Sequence, residues 1–188
     1  MKQFLYVILG AAFVYLGTIA EFPIPGTDIP QTGQTVAVLC VGMILGVVLG
    51  GASVILYLAL GVAGLPVFSD SGYGFEHLSG ATGGYLWGFL VAACLMGLWK
   101  NFSAGKNFSK SFSKKIVVDF AASLLGHMVI LACGWIWLAN QIGMMSAYQS
   151  GVAPFYFGAM AKSIIAALLV CLARIIIKLS IETSGDNP

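Results

Sequence analysis

A lysine in the last apolar run of the chain is the residue whose position most suggests chemistry. Lys162 lies near the start of the run PFYFGAMAKSIIAALLVCLARIIIK, and the only other charges of that run, Arg174 and Lys178, come at its end. An ammonium group is costly inside a membrane. It therefore either extends along its apolar stem to the lipid headgroups or faces a polar cavity. In a cavity it would bind an anion or a carbonyl oxygen, and both alternatives stay open from the sequence.

Three further polar side chains stand at the starts of other apolar runs. Gln34 and Thr32 stand at the start of the second run, and Tyr85 lies near the start of the fourth. Each of these side chains can both donate and accept a hydrogen bond. If the fold brings them to the same end as Lys162, they form a set of polar anchors for a ligand. Tyr57, in the middle of the third run, either reaches this site from below or only packs.

The two histidines suggest less chemistry. His127 lies in the middle of an apolar run and could relay protons, but no Asp or Glu stands in the apolar middle of any run to assist it. We therefore expect a neutral, hydrogen-bonded core histidine. His77 lies among polar residues and is expected to be solvated. Asp119 stands near one end of the same run as His127.

Catalytic and metal-binding patterns are absent from the sequence. There is no Walker A motif, no HExxH and no GxSxG, so the chain is predicted neither to hydrolyse ATP nor to be an enzyme. The four cysteines are isolated in apolar runs and read as small buried hydrophobes. We expect no metal site and no cofactor.

The composition indicates a protein that uses lipid as its solvent. Of the 188 residues, 59% are hydrophobic and 9% are charged, whereas soluble domains carry about 25% charged residues. The mean hydropathy is +0.95. We predict a single all-α membrane domain over residues 1–188. Six runs are apolar enough to cross as helices: 4–20, 34–49, 51–68, 82–99, 116–139 and 156–179.

Short breaks and small residues organise these runs. The pair Gly50–Gly51 is the weakest break, between the second and third runs. Glycines also recur every four residues, which places each set on one helix face and allows close helix packing. Packing inside the bundle is the default interpretation, and docking of a partner subunit is the alternative. The two sets are Gly42, Gly46, Gly50 and Gly80, Gly84, Gly88.

The basic residues predict the orientation. With six crossings, eight of the nine fall on one side, which the positive-inside rule assigns to the cytoplasm together with both termini. These are Lys2, Lys100, Lys106, Lys110, Lys114, Lys115, Arg174 and Lys178. Lys162 is then the one base in the outer half.

The predicted outer loops suit a ligand site. The segment EFPIPGTDIPQTGQT, rich in proline and glycine, can fold as a lid or as a plain rigid loop. The segment from residue 64 to residue 88 combines glycines with the aromatic residues Phe68, Tyr73, Phe75 and Tyr85. Such surroundings favour a small, flat, mostly apolar ligand with a few polar anchors.

Four stretches resemble the BioY family of biotin-binding S components of energy-coupling factor (ECF) transporters. IPQTGQT at 29–35 is similar to a P-x-T-x-Q segment, and SGATGGYLWGF at 79–89 to G-P-T-G-G-Y. PFYFGAMAKSIIAAL at 154–168 resembles P-F-x-x-G-D-x-x-K, and YLALGVAGLPVF at 57–68 resembles the family's most specific stretch. Three positions depart from the family pattern: Ala159 in place of Asp, Ala81 in place of Pro, and Gly33 in place of an apolar residue.

The resemblance implies a site for biotin. Lys162 would engage a carbonyl or carboxylate oxygen. The other implied binding residues are Gln34, Thr32, Tyr85, Thr82, Gly83, Phe68 and Tyr73. Because Ala159 cannot accept a hydrogen bond from the ureido group, either affinity is lower or an acid from a loop, Glu76, Asp28 or Glu21, takes over.

The resemblance also implies a function and partners. The chain would sit in a prokaryotic cell membrane, capture biotin from outside and release it inward when a transmembrane coupling subunit and two cytosolic ATPases drive it. Two alternatives remain. One is an S component for a related ligand such as dethiobiotin, and the other is an autonomous facilitative or ion-coupled carrier.

Overall fold

The computed structural model describes residues 1–24, 27, 29–103 and 112–184. Three residues named above, Asp28, Lys106 and Lys110, lie outside the described residues, as do residues 185–188. The described part is mostly helical, as the apolar runs predict. The helices are α1 Lys2–Ile19, α2 Gln34–Leu45, α3 Val47–Val62, α4 Gly74–Ser79, α5 Gly83–Ser103, α6 Phe112–Ile142, α7 Met144–Gly151 and α8 Tyr156–Ser184.

Small elements join the helices at one end of the bundle. The strands β1 Glu21–Phe22 and β2 Gln31–Thr32 pair antiparallel within the loop between α1 and α2. Short 3-10 turns lie at Ser69–Ser71 and Ala153–Phe155. The sequence predicted neither this hairpin nor the separate helix α7. We call the end that carries β1 and β2 the hairpin end, and the opposite end the basic end.

Four described stretches are long and apolar enough to cross a membrane. They are Lys2–Ile19, Gly83–Ser103, Lys114–Ile142 and Met144–Ser180. The remaining apolar helices, α2 and α3, are shorter, at 12 and 16 residues. A helix rises about 1.5 Å per residue, and the hydrocarbon core is about 30 Å thick. Neither short helix therefore spans that core by its length alone.

The break between α2 and α3 is not where the sequence predicted it. Gly50 and Gly51 lie inside α3, and the chain bends at Gly46 instead, with φ +89°. A positive φ favours glycine because it has no Cβ. Gly97 of α5 packs directly against the backbone of Val47, which leaves room for no side chain at position 97. Helix α3 ends at Val62, so the prediction of a span reaching Phe68 is also wrong.

Close packing of glycines holds the central helices together. A Cβ on Gly42 would meet the backbone of Ala93 in α5. Gly84 and Gly88 face α6, at Trp137 and Ile130 respectively. The default interpretation of these glycines as packing sites is confirmed. Gly46 and Gly80 are exceptions, since Gly46 breaks the helix and Gly80 caps α4 before α5 begins.

A charged cluster lies inside the basic end. Asp119 of α6 is fully buried, with its side chain 0% exposed, and Arg174 of α8 donates to its Oδ2 at 2.5 Å. Trp99 of α5 donates from Nε1 to the other carboxylate oxygen at 3.1 Å. Three helices are therefore joined through one carboxylate at this end.

Candidate ligand-binding site

A cavity opens at the hairpin end between α2, α5, α6 and α8. The space that admits the centre of a water molecule measures about 60 Å³, which is room for a few waters. A ligand of two fused rings therefore needs the walls to move apart. The walls are Ile29, Pro30, Gln31, Thr32, Gln34, Thr35, Ser69, Thr82, Tyr85, Leu86, Phe89, His127, Ile130, Leu131, Phe155, Ala159 and Lys162.

Lys162 reaches this cavity from the second turn of α8. Its side chain is half-buried, and its Nζ donates to the backbone oxygen of Thr32 at 3.1 Å. The ammonium is thus directed at the first loop and at the cavity wall. This geometry favours the cavity alternative over extension to the headgroups. The cation carries N–H groups beyond this one bond, which it can give to a ligand oxygen.

A chain of hydrogen bonds fixes the polar groups beside Lys162. Thr32 donates from Oγ1 to Gln34 Oε1 at 3.0 Å. Gln34 donates from Nε2 to the hydroxyl of Tyr57, which in turn donates to the backbone oxygen of Val67 at 3.0 Å. Gln34 and Tyr57 are buried, 3% and 1% exposed. Tyr57 therefore orients Gln34 from behind and is not itself among the lining residues.

Phe68 and His77 extend this chain away from the cavity. Phe68 is 1% exposed and meets Tyr57 edge to face with ring centroids 5.6 Å apart. His77 stacks on Phe68 with ring centroids 5.2 Å apart. The prediction that His77 is solvated is wrong: it is half-buried, and its Nε2 is buried with no hydrogen-bond partner among the described residues. Burial lowers the pKa of His77, while Asp70 and Glu21 raise it by a smaller amount.

The depressed pKa of His77 predicts that α4 loosens in acid. Protonation is harder in the folded than in the unfolded state, so the packing is fully favourable above about pH 6.5 and weakens as the pH falls below that value. We expect amide protection factors in α4, corrected for intrinsic exchange, to drop between about pH 7.5 and about pH 5. In His77→Phe, which keeps a stacked neutral ring, they stay level over that window. An equal drop in the variant would show that another group is responsible.

Tyr85 and Thr82 enter the cavity from the start of α5. The Tyr85 hydroxyl donates to the backbone oxygen of Gly151 at 2.7 Å, and its ring lies 6.5 Å from that of Phe155. The backbone oxygen of Thr82 accepts from the Tyr85 N–H at 3.0 Å, which starts the helix. Gly83 packs beneath the backbone of Leu78 and is not among the lining residues.

Of the eight sequence-predicted site residues, the structure brings five to the cavity wall. These are Lys162, Gln34, Thr32, Tyr85 and Thr82. Phe68 and Gly83 lie behind the wall, and Tyr73 is 62% exposed and away from it. The described acids proposed to replace Ala159 are also elsewhere. Glu21 accepts from the backbone N–H of Asp70, and Glu76 is exposed.

His127 lines the cavity as a fully hydrogen-bonded residue. Ser163 donates from Oγ to the backbone oxygen of Ala159 at 2.7 Å, so the His127 Nδ1–H is the donor in its 2.9 Å contact with that Oγ. In the neutral ring that the sequence predicts, the other nitrogen, Nε2, accepts from Thr35 Oγ1 at 3.0 Å. The part of the prediction that concerns a buried, hydrogen-bonded core histidine is confirmed.

Sequence reasoning missed several wall residues. Gln31 and Thr35 belong to the same IPQTGQT segment as Thr32 and Gln34, but no feature of the sequence marks them as wall residues. The aromatic residues Phe89 and Phe155 were not distinguishable from ordinary packing residues. The useful signal would have been one showing that the first loop contacts the start of α8, and a single sequence carries no such information.

Comparison with known proteins gives consistent matches. The model of the BioY family matches residues 1–178. A protein of Pyrococcus horikoshii named as a probable biotin transporter is 34% identical over 164 residues, which cover 87% of this chain and 92% of that one. A Thermotoga maritima biotin transporter is 31% identical over 183 residues, 97% and 99% of the two chains.

One solved structure has the same fold. It is the S component for biotin from an ECF-type ABC transporter, determined by crystallography, and it superposes with a TM-score of 0.77 over 92% of this chain and 90% of that one. The sequence identity is 24%. At that identity the likeness establishes the fold alone.

Proposed function

The chain belongs to the BioY family of multi-pass prokaryotic membrane proteins, and on this premise we propose that it binds biotin as the S component of an ECF-type transporter. Its relatives are transporters, and the chain is accordingly not an enzyme. The observation that carries the proposal is the position of Lys162. Its ammonium lies on a cavity wall at the hairpin end, with a carbonyl acceptor of the first loop beside it.

The cavity supplies the groups that biotin requires. Biotin has a fused ring system with a cyclic urea, a thioether and an aliphatic acid. Leu86, Phe89 and Ile130 give the cavity apolar walls for the rings. Lys162 donates to the urea carbonyl or to the carboxylate, and Gln34, Thr32, Tyr85 and Thr82 supply further hydrogen bonds. Phe68 and Gly83 support this wall from behind, and Tyr73 reaches the ligand when its loop moves over the cavity.

The distribution of charge supports capture from outside. The described basic residues at the basic end are Lys2, Lys100, Lys114, Lys115, Arg174 and Lys178. The positive-inside rule assigns that end to the cytoplasm. The proposed topology is a single domain with six crossings and both termini inside. Helices α2 and α3, together with the polar turns at their ends, form the second and third crossings. The cavity then opens outward.

Transport energy comes from elsewhere in this proposal. Within the described residues no acid lies in the cavity to bind a coupling cation, and the sequence lacks a nucleotide-binding motif. The proposed partners are a transmembrane coupling subunit and two cytosolic ATPases, in addition to the surrounding lipid. Inward release follows when this module changes the orientation or the opening of the S component.

Two alternatives remain testable beside this one. An S component for a related ligand such as dethiobiotin remains an alternative because Ala159 stands where the family pattern has Asp. An autonomous carrier would need no partner. The absence of a cavity acid among the described residues argues against ion coupling.

Uptake into vesicles separates these functions. We expect vesicles that contain this chain alone to bind radiolabelled biotin without accumulating it, and vesicles that also contain the coupling subunit and ATPases to accumulate it only with ATP. Concentrative uptake by the chain alone would establish the carrier instead. If dethiobiotin displaces the label at a lower concentration than biotin does, dethiobiotin is the preferred ligand. The proposed coupling to the ATPases is unaffected by that result.

A further inference from the structure

The acceptor for the urea N–H groups is the part of the site that Lys162 does not provide. A cyclic urea presents one carbonyl oxygen flanked by two N–H donors, so a protein that recognises it needs acceptors beside its donor. The cavity side chains already described are engaged. Gln34 Oε1 accepts from Thr32, Thr35 donates to His127, and Tyr85 donates to Gly151.

Gln31 is the amide on the wall that is not engaged. Within the described part of the chain its side chain makes no hydrogen bond, although it lines the cavity. It is half-buried and belongs to β2, directly before Thr32, whose backbone oxygen accepts from Lys162. A carboxamide that is held at a cavity wall and not paired there is poised to pair with a ligand.

Packing against α8 locates this amide relative to Lys162. A Cβ built on Gly158 would collide with the terminal atoms of the Gln31 side chain, which therefore lies directly on the helix at that residue. Gly158 and Lys162 are four residues apart and share one helix face, with about 5–6 Å between such positions. The Gln31 amide thus lies on α8 one turn before the residue that carries the ammonium.

The two side chains also share a second surface. Gln31, Thr32 and Lys162 line both the cavity and an apolar groove between α1 and α8. They form the partition between these spaces. A ligand in the cavity and a ligand in the groove would therefore both contact the ammonium and the carboxamide.

We propose that Gln31 is the specificity residue that accepts a urea N–H through its Oε1 while Lys162 donates to the urea oxygen. The proposal rests on biotin as the ligand. A Cβ at position 158 would displace the amide from this place on the helix. The Lys162 donor and the Gln31 acceptor match the C=O and one N–H along an edge of the planar urea. The two side chains therefore discriminate against rings that lack either group.

The experiment combines a change in the protein with a change in the ligand. Affinities are measured by isothermal titration for wild type and Gln31→Leu, with biotin and with its two mono-N-methyl urea derivatives. Loss of one neutral hydrogen bond corresponds to a change of about fivefold. We expect Gln31→Leu to weaken biotin by about that factor, and to leave unchanged the binding of the one derivative that already lacks the N–H in question.

Two further variants keep the test sharp. Gly158→Ala favours the helix but displaces the amide. It is expected to weaken biotin binding by the same factor as Gln31→Leu, and the double variant Gln31→Leu/Gly158→Ala is expected to bind no more weakly than either single variant. Gln141→Leu, at an exposed glutamine of the hairpin end, is the matched control and is expected to bind as wild type.

The outcomes distinguish this proposal from the proposed function. If wild type fails to bind biotin, the function itself is wrong. If wild type binds biotin and Gln31→Leu binds all three compounds as tightly, Gln31 is not the acceptor. If instead Ser69→Ala or Thr82→Ala shows the dependence on N-methylation, a hydroxyl of the wall has that role, and the proposal is overturned.

Discussion

Replacing Lys162 by alanine is expected to weaken biotin binding by at least about tenfold. A hydrogen bond from a charged donor contributes about 1.5–3 kcal/mol, and tenfold corresponds to about 1.4 kcal/mol. The Nζ lies on the cavity wall at 3.1 Å from the oxygen of Thr32, and an ammonium has further N–H groups that it can give to a ligand oxygen. Titration of the purified protein in detergent measures the change directly.

The control variants separate a lost contact from a general effect of charge. Lys162→Met keeps the apolar stem and removes the ammonium, so it is expected to lose as much affinity as the alanine variant. Lys100→Ala and Lys178→Ala remove charges at the basic end and are expected to bind as wild type. Unchanged affinity in Lys162→Ala would mean that this lysine only extends to the lipid headgroups.

Breaking the charged cluster at the basic end is expected to cost the most stability, and to do so asymmetrically. Asp119 is 0% exposed, whereas the Arg174 side chain is 33% exposed. Among the described residues, Arg174→Ala leaves the buried carboxylate with the Trp99 N–H alone, and a buried ion without its charged partner costs about 3–5 kcal/mol. Asp119→Ala leaves an arginine that can extend to the headgroups, so it is expected to cost less.

Unfolding in detergent monitored by circular dichroism ranks these variants. The double variant Asp119→Leu/Arg174→Leu is expected to be more stable than Arg174→Ala, because no buried charge remains. The exposed pair Lys178–Glu182, 3.7 Å apart, provides the matched control, and Glu182→Ala is expected to change stability by no more than about 0.5 kcal/mol. If Asp119→Ala proves more destabilising than Arg174→Ala, the assigned asymmetry is incorrect.

The helices could be predicted because each follows from a local property of the chain. An apolar run in a membrane must pair its own backbone groups, so its length and composition determine that it is helical. The bend at Gly46 could not be predicted, since Gly50 and Gly51 offer the same freedom. The bend at Gly46 coincides with the close approach of Gly97 to Val47, a contact between residues distant in sequence.

The candidate site was predictable in part for a related reason. Lys162 is conspicuous because charge is rare in an apolar run, and the motif segments supplied Gln34, Thr32, Tyr85 and Thr82. Gln31 is an ordinary polar residue in a polar loop, and only its packing on Gly158 gives it significance. Similarly, the stacking of His77 on Phe68 depends on how the segment after α3 folds back, which no local pattern of residues records.

A structure of this protein with biotin bound tests the central claim most directly. We predict the Lys162 Nζ at about 2.7–2.9 Å from an oxygen of biotin, the range of charge-assisted hydrogen bonds, with the rings between α5, α6 and α8. The claim is contradicted if biotin occupies another part of the molecule while the ammonium still donates only to the oxygen of Thr32 or points into the headgroups.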